Sequence, residues 1–300
     1  MAAISHLEEI LIGRQTSAGG WNFLGSTQIS VEATCLALLA LSTLNPESES
    51  ARIDPLLRLQ RHDGSWPAFS GDHDGSWTTA LAMIVLNITS DGVTERERAL
   101  RWLLGKHGRE ANWLWRWKFK TVDRKVRFDP DKYGWPWILG SASWVIPTAF
   151  SIIAIKHFTV CNRSEPSERR IRLGVEMLLD RVCVGGGWNS GNSVVYEAPL
   201  LPHVEATAIA LLALQAEKRT PAIRASVAWL KQRSNAMKTV ESLAWSVLSL
   251  FVCQEPVDHL KTQLAALIED GREMRNNATL ATALLALKCG EMIHPFMVLR

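Results

Sequence analysis

The sequence has 300 residues, of which 47% are hydrophobic, so it carries enough apolar surface for a substantial core and is not typical of a disordered or fibrous chain. Its 33 basic and 30 acidic residues are spread along the chain and leave a net charge of +3, which argues against a nucleic-acid partner. Five cysteines without close pairs, an N-terminal segment interrupted by acidic residues and the lack of a membrane-spanning apolar run favour a cytoplasmic protein.

One ten-residue pattern recurs six times along the chain. Each copy is apolar nearly all round, which is typical of a helix buried on every side. We therefore predict six inner helices. The copies are EATCLALLAL at 32–41, WTTALAMIVL at 77–86, IPTAFSIIAI at 146–155, EATAIALLAL at 205–214, ESLAWSVLSL at 241–250 and ATLATALLAL at 278–287.

More amphipathic segments precede these blocks and predict outer helices, such as ERERALRWLLGK at 95–106 and PAIRASVAWLKQR at 221–233. A pair of one outer and one inner helix cannot bury its own apolar face, so neighbouring pairs must stack. The terminal blocks are as apolar as the middle ones, which favours closure into a ring over an open superhelix of the armadillo type. The prediction is an all-α protein, an (α/α)6 toroid of about six helix-hairpin repeats in a single domain, 1–300. The repeats fall at about 4–44, 52–90, 95–158, 168–216, 221–253 and 256–290, with an insertion at 105–145.

Glycine and tryptophan mark the turns between outer and inner helices, as in QTSAGGWNF from Gln15 and VCVGGGWNSGN from Val182. Glycine permits positive φ, while tryptophan packs the turn against a neighbour and can donate its indole N–H. Two turns share one spacing, with Gln15, Gly19 and Trp21 in the first and Gln60, Gly64 and Trp66 in the second. This spacing, followed by a buried helix, resembles the Gln-Trp repeat of squalene-hopene and oxidosqualene cyclases, in the superfamily of terpenoid cyclases and protein prenyltransferases.

That resemblance implies a class II terpene cyclase, which protonates an isoprenoid in a central apolar cavity. The proton donor of such cyclases is the middle aspartate of a DxDDTA pattern, and the segment HVEATA is the closest match here. It makes Glu205 the expected catalytic acid and His203 the group that polarises it. A structural alternative is open for every first-turn glutamate, because the helix dipole stabilises a carboxylate there. The six matching positions are Glu32, Trp77, Ile146, Glu205, Glu241 and Ala278.

Aromatic side chains and two aspartates near the turns are the expected substrate-binding residues. Asp72 and Asp74 lie in GDHDGSW just before an inner helix, although two aspartates beside a glycine also suit an ordinary turn. Prenyltransferase β subunits bind zinc, but their DxRxxYC segment has no counterpart here, so no metal and no cofactor is expected. The substrate-binding set is Trp66, Phe69, Asp72, Asp74, Trp77, Trp137, Trp144, Trp188 and Tyr196.

The insertion at 105–145 lies within the stretch from Trp102 to Trp144 that holds seven of the thirteen tryptophans, mixed with lysines and arginines. Three interpretations stay open: a cavity wall that stabilises carbocations, a membrane interface for a lipid substrate, or a lid packed over one mouth of the ring. The leading function is the cyclase, with a non-catalytic prenyl-lipid-binding toroid or a prenyltransferase β-subunit-like scaffold as alternatives. The expected partner is an isoprenoid or another apolar small molecule, and a peripheral membrane contact and a partner subunit stay open.

Overall fold

The structure of the protein, a computed structural model, describes residues 2–23, 25–41, 49–123, 125–160, 162–217, 220–271, 276–291 and 294–298. Helices dominate the described residues. The inner helices are α2 (Val31–Leu41), α4 (Thr78–Thr89), α7 (Val145–Thr159), α9 (Val204–Ala213), α11 (Val240–Val252) and α13 (Asn277–Leu287). The outer helices are α1 (Ala2–Gly13), α3 (Glu49–Arg58), α5 (Val93–Gly105), α8 (Glu165–Asp180), α10 (Pro221–Ser234) and α12 (Asp258–Glu269), and the insertion contains α6 (Trp113–Thr121).

The inner helices begin within one residue of the six predicted blocks. Alanine and leucine, which have the highest helix propensities, predominate in the first, fourth and sixth blocks. Burial extends around the whole circumference, and all eleven residues of α13 are buried. These helices therefore owe their stability to neighbours on every side rather than to one amphipathic face.

The six inner helices form a closed ring. Each contacts the next in the order α2, α4, α7, α9, α11 and α13, and α13 contacts α2. Two side chains of the last repeat fasten it to the first: Lys288 forms an ion pair with Glu8 at 3.1 Å, and the amide of Asn277 donates to the carbonyl of Asn22 at 3.0 Å. The predicted (α/α)6 toroid is confirmed.

The inner helices run parallel, because like ends meet around the ring. At the C-terminal ends, Lys156 of α7 donates to the carbonyl of Ala213 in α9 at 3.2 Å. At the N-terminal ends, Ser242 of α11 donates to Glu205 of α9 at 2.6 Å. The N-termini of all six helices therefore gather at one mouth of the ring. None of the helices in the described residues is long and apolar enough to cross a membrane.

The same two hydrogen bonds fasten four of the turns. The indole N–H of a buried tryptophan donates to a leucine carbonyl at or near the end of an outer helix, at 2.6–2.8 Å, and its backbone N–H donates to a threonine Oγ1 of the following inner helix, at 2.9–3.0 Å. The Trp-Leu-Thr sets are Trp21, Leu11 and Thr34; Trp66, Leu56 and Thr79; Trp135, Leu103 and Thr148; and Trp188, Leu178 and Thr207.

The glutamine and glycine of the repeated spacing complete this turn. The side-chain amide of Gln15 donates to the carbonyl of Gly19 at 2.8 Å, and Gln60 makes the same bond to Gly64 at 3.1 Å. Gly64 has φ 91° and a Cβ there would lie 2.5 Å from the carbonyl oxygen of Arg98, so only glycine fits. The Gln-Gly-Trp spacing is therefore a means of joining an outer helix to an inner one.

Aromatic side chains fill the interior of the toroid at one level. Phe150 of α7 packs against Trp77 of α4 and Trp245 of α11, each at 5.8 Å between ring centroids. Because α4 and α11 lie opposite each other in the toroid, the contacts from Trp77 through Phe150 to Trp245 span its interior. Phe296, from the C-terminal segment 294–298, packs against Phe150 at 5.9 Å and Trp245 at 5.6 Å. At this depth, side chains occupy the central cavity that the cyclase resemblance implied.

The insertion is hydrogen-bonded to α8 and supplies one strand of a small sheet. Strand β1 (Val126–Arg127) pairs antiparallel with β2 (Val194–Val195), which pairs antiparallel with β3 (Ala198–Pro199). Glu110 anchors the insertion: it is fully buried, accepts from the backbone N–H of Ser143 and lies 3.6 Å from Arg181. Helix α6 has no buried residue and lies on the surface.

Candidate functional site

Three glutamates stand in the first turns of inner helices and share the N-terminal mouth of the ring. They are Glu32 of α2, Glu205 of α9 and Glu241 of α11. Glu32 and Glu205 are partly buried, whereas Glu241 is exposed. Since α9, α11, α13 and α2 are consecutive in the ring, the carboxyl groups line one side of the mouth.

Hydroxyl groups from the neighbouring helix orient two of these carboxylates. Ser242 Oγ donates to Glu205 Oε1 at 2.6 Å, and Thr279 Oγ1 donates to Glu241 Oε2 at 3.4 Å. Both hydroxyl groups belong to the second residue of a block and reach the first residue of the preceding block. The register of the repeat therefore creates the pairing.

Glu32 is the carboxyl group whose surroundings most disfavour ionisation. Burial, with a further contribution from the negative charge of Glu241, raises the pKa of Glu32 to about 7. The dipole of α2 acts in the opposite direction, and burial prevails. At neutral pH Glu32 is therefore close to half protonated and can both donate and accept a proton.

Aromatic side chains form another part of the mouth. Trp77 lies just before α4, and its ring meets Trp137 of the insertion edge to face at 4.8 Å. Both are partly exposed, and behind them Phe150 and Trp245 are buried. The mouth thus combines carboxyl groups with flat apolar surfaces, a combination suited to a polar ligand that also has apolar faces.

Glu205 and His203, the predicted catalytic pair, both lie at the start of α9. The hydrogen-bond partner of Glu205 is Ser242, and no bond to His203 is present among the described residues. His203 is exposed, and together with Trp144 it lines a separate cavity of about 530 Å³. A role for these residues in a site stays a prediction.

The other predicted substrate-binding residues fall into three groups. Trp66 and Trp188 have no exposed surface, and their rings hold turns together. Asp72 accepts from the backbone N–H of Phe69 at 2.9 Å, which is the turn chemistry weighed as the alternative. Phe69 also packs edge to face on Phe23 at 6.3 Å, and Asp74 is exposed.

Tyr196 is exposed at the tip of the β2–β3 hairpin, where Lys125 lies 5.7 Å from its ring centroid. Of the predicted set, Trp77 and Trp137 lie together at the mouth.

Sequence reasoning placed Glu32 and Glu241 at the acid's position but did not select them. It missed the hydroxyl partners Ser242 and Thr279, although the block alignment puts both at the same position. Among the described residues, no group of three or more histidine, cysteine, aspartate or glutamate side chains is arranged to hold a metal ion.

The fold is an α/α toroid with three glutamates at the N-terminal ends of its inner helices. No protein-family model matches the chain, and no curated protein matches it in sequence.

Solved structures do match the chain in fold. A protein from Actinoplanes has a TM-score of 0.64 at 15% identity, with 97% of this chain and 99% of that chain covered. An α-amylase from Clostridium perfringens has a TM-score of 0.62 at 10% identity, with 96% and 98% covered. An α-1,6-mannanase of glycoside hydrolase family 76 from Salegentibacter sp., in complex with α-1,6-mannotriose, has a TM-score of 0.60 at 9% identity, with 96% and 98% covered. At these identities the likeness shows the fold.

These matches correct the inferred relationship. The resemblance to terpenoid cyclases and protein prenyltransferases is wrong, because the matching structures named for an activity include α-mannanases and an α-amylase. The cyclase activity, the lipid-binding and scaffold alternatives and the expected isoprenoid partner are wrong with it, and the membrane contact for lipid entry loses its rationale. The resemblance was misleading for a physical reason. The Gln-Gly-Trp spacing is set by the hydrogen bonds of a turn that joins two helices, and it does not depend on the ligand.

Proposed function

We propose that the chain is a glycoside hydrolase, with Glu32 as its general acid and Glu241 as the partner carboxylate. The observation that carries this proposal is the environment of Glu32: a carboxyl group at the N-terminal mouth of the ring whose pKa is raised to about 7 by burial and by the negative charge of Glu241. Cleavage of a glycosidic bond commonly uses two carboxyl groups in different protonation states.

The two glutamates divide the chemistry by their surroundings. Glu32, partly buried and partly protonated at neutral pH, donates a proton to the glycosidic oxygen as the bond to the anomeric carbon breaks. The exposed Glu241, oriented by Thr279, stabilises the positive charge that develops on the sugar ring. It then either accepts a proton from the water that attacks the anomeric carbon, or bonds to that carbon itself as the leaving group departs. Glu205, held by Ser242, supplies a further acceptor for sugar hydroxyl groups.

The aromatic part of the mouth suits a sugar. Trp77 and Trp137 offer partly exposed rings at the same end of the toroid as the glutamates, and the apolar face of a pyranose can pack on such a ring while its hydroxyl groups bond to polar neighbours. This arrangement favours a saccharide over a purely apolar ligand, because a saccharide supplies hydroxyl donors to the carboxylates and an apolar ligand supplies none.

The names of the similar structures supply the first substrates to test. They include α-1,6-mannanases and an α-amylase, and one mannanase structure is an inactive variant with two consecutive aspartates changed to asparagine. This chain has no two consecutive aspartates, so the acid groups would come from different positions, Glu32 and Glu241.

The test is release of reducing sugar from α-1,6-mannan, α-1,6-mannotriose and starch. We expect the wild-type protein to cleave at least one of them, with activity declining above about pH 7 as Glu32 loses its proton. Glu32→Gln and Glu241→Gln should each lower kcat by about 100-fold or more.

Glu168→Gln serves as the matched control, because Glu168 also lies in the first turn of a helix but is exposed on α8, outside the mouth. Its activity should equal that of the wild type. Failure to cleave any of these glycans, or full activity of Glu32→Gln, would refute the proposal.

A further inference from the structure

A second cavity lies at the opposite end of the ring from the carboxylates. It has a volume of about 740 Å³ and opens between α5 and the start of α8, over the C-terminal ends of α4 and α7. Asn87 and His157, which lie near the C-terminal ends of α4 and α7, line it. No residue of the mouth lines it.

Positive charge predominates in the wall of this cavity. Arg96 and Arg101 of α5 and Arg163 before α8 line it, against one acidic residue, Glu97. Within the part of the chain that the structure describes, none of the three arginines forms an ion pair or a side-chain hydrogen bond. Three guanidinium groups around one cavity repel one another, so an anion bound between them would relieve an unfavourable interaction.

Two buried side-chain nitrogens belong to the same wall. Arg96 Nε and His157 Nε2 make no hydrogen bond to any residue that the structure describes. Burial lowers the pKa of His157 to about 4, so at neutral pH the imidazole is neutral and can donate from Nε2 without adding charge. Unsatisfied buried polar groups are uncommon in folded proteins, and a ligand is one way to satisfy them.

We propose that this cavity binds the phosphate group of a small phosphorylated molecule. Guanidinium groups match the oxygens of a phosphate with paired hydrogen bonds, which makes arginine the favoured residue for this ligand. The volume exceeds what a phosphate ion fills, and Val93, Leu100 and Phe158 in the wall provide apolar contact for the rest of the molecule. This site is independent of the proposed hydrolysis at the mouth.

Isothermal titration calorimetry of the full chain at low ionic strength tests the proposal with three probes: inorganic phosphate, glucose 6-phosphate and glucose. Wild-type protein should bind inorganic phosphate and glucose 6-phosphate but not glucose. Tighter binding of the sugar phosphate would assign the remaining volume to a sugar, and equal binding would assign the site to phosphate alone.

Arg96→Gln and Arg163→Gln should each weaken phosphate binding about tenfold or more. Because Arg163 is exposed, its variant should fold even if Arg96→Gln does not. Arg172→Gln, an exposed arginine of α8 outside the cavity, should bind phosphate as the wild type does. Absence of phosphate binding by the wild type, or equal weakening in Arg172→Gln, would overturn the proposal.

Discussion

At the residue scale, Glu32 is subject to opposing effects. Its place in the first turn of α2 favours the carboxylate, since the free N–H groups and the helix dipole attract negative charge. Burial and the nearby Glu241 favour the neutral acid, and they raise the pKa of Glu32 to about 7. A helix-start glutamate is thereby converted from a stabilising surface charge into a group that holds a proton at neutral pH.

This shift makes stability depend on pH. The unfolded chain releases the proton of Glu32 near its ordinary value of 4.5, whereas the folded chain keeps it up to about pH 7. The free energy of unfolding therefore falls as pH rises between these values, by up to about 3 kcal/mol, and stays lower above them. Glu32→Gln removes this loss, so the variant should match the wild type near pH 4.5 and be more stable than it at pH 8, as measured by urea denaturation.

Variant and wild type are compared at the same pH, because the pKa shifts of two histidines change the stability in the opposite direction. Burial lowers the pKa of His157 and of His294 to about 4, so protonation of the unfolded chain costs stability as pH falls below 6.5. That effect is common to variant and wild type and cancels. A difference between them that is the same at pH 4.5 and pH 8 would show that Glu32 is not the group responsible.

At the scale of elements, the turn between an outer and an inner helix depends on its tryptophan and threonine. Both bonds of Trp66 are buried, one to the carbonyl of Leu56 and one from its backbone N–H to Thr79 Oγ1. The threonine is the third residue of its block, and the same position holds Thr34, Thr148 and Thr207 in the other turns of this kind. In the fifth and sixth blocks this position holds Leu243 and Leu280, and no such tryptophan precedes them.

Thr79→Val tests this arrangement, because valine has nearly the shape of threonine but cannot accept a hydrogen bond. The backbone N–H of Trp66 would be left unsatisfied in a buried position, and we expect the free energy of unfolding to fall by about 1 to 3 kcal/mol.

Thr282→Val is the matched control. Thr282 is also buried in an inner helix, but among the residues that the structure describes its hydroxyl donates only to the carbonyl of Ala278 in its own helix. Guanidinium denaturation should show a smaller loss for this variant, and equal losses would argue against a special role for the turn threonine.

At the scale of the whole molecule, residues that are far apart in the sequence meet inside the ring. The C-terminal segment 294–298 reaches the interior, where Gln215 donates to the carbonyl of Phe296 at 2.8 Å and accepts from the backbone N–H of Val298 at 3.1 Å. Phe296 is fully buried between Phe150 and Trp245, so it links helices that do not follow each other in the chain.

Phe296→Ala would open a cavity in the centre of the ring. Removal of a fully buried aromatic side chain should lower the free energy of unfolding by about 3 to 5 kcal/mol. Phe23→Ala, at a phenylalanine that is 43% exposed, should cost much less in the same chemical denaturation experiment. Similar losses for the two variants would mean that Phe296 is not part of the core.

Much of the fold could be read from the sequence because its signals are local. A block that is apolar on all sides indicates a helix buried on all sides, and six such blocks, four of them preceded by a Gly-Trp turn, predicted the ring of inner helices. The functional interpretation was wrong because it also rested on a local pattern. The Gln-Gly-Trp spacing follows from the hydrogen bonds of a turn and not from what the toroid binds.

The character of the candidate site depended on tertiary structure alone. Glu32, Glu205 and Glu241 are equivalent in their blocks, yet the surroundings raise the pKa of Glu32 specifically through burial beside Glu241, a residue far away in the sequence. Ser242 rather than His203 bonds to Glu205 for the same reason, because the neighbouring helix supplies the partner. Sequence periodicity determines which residues face inward, whereas the electrostatic environment of each one depends on which helix ends meet across the ring.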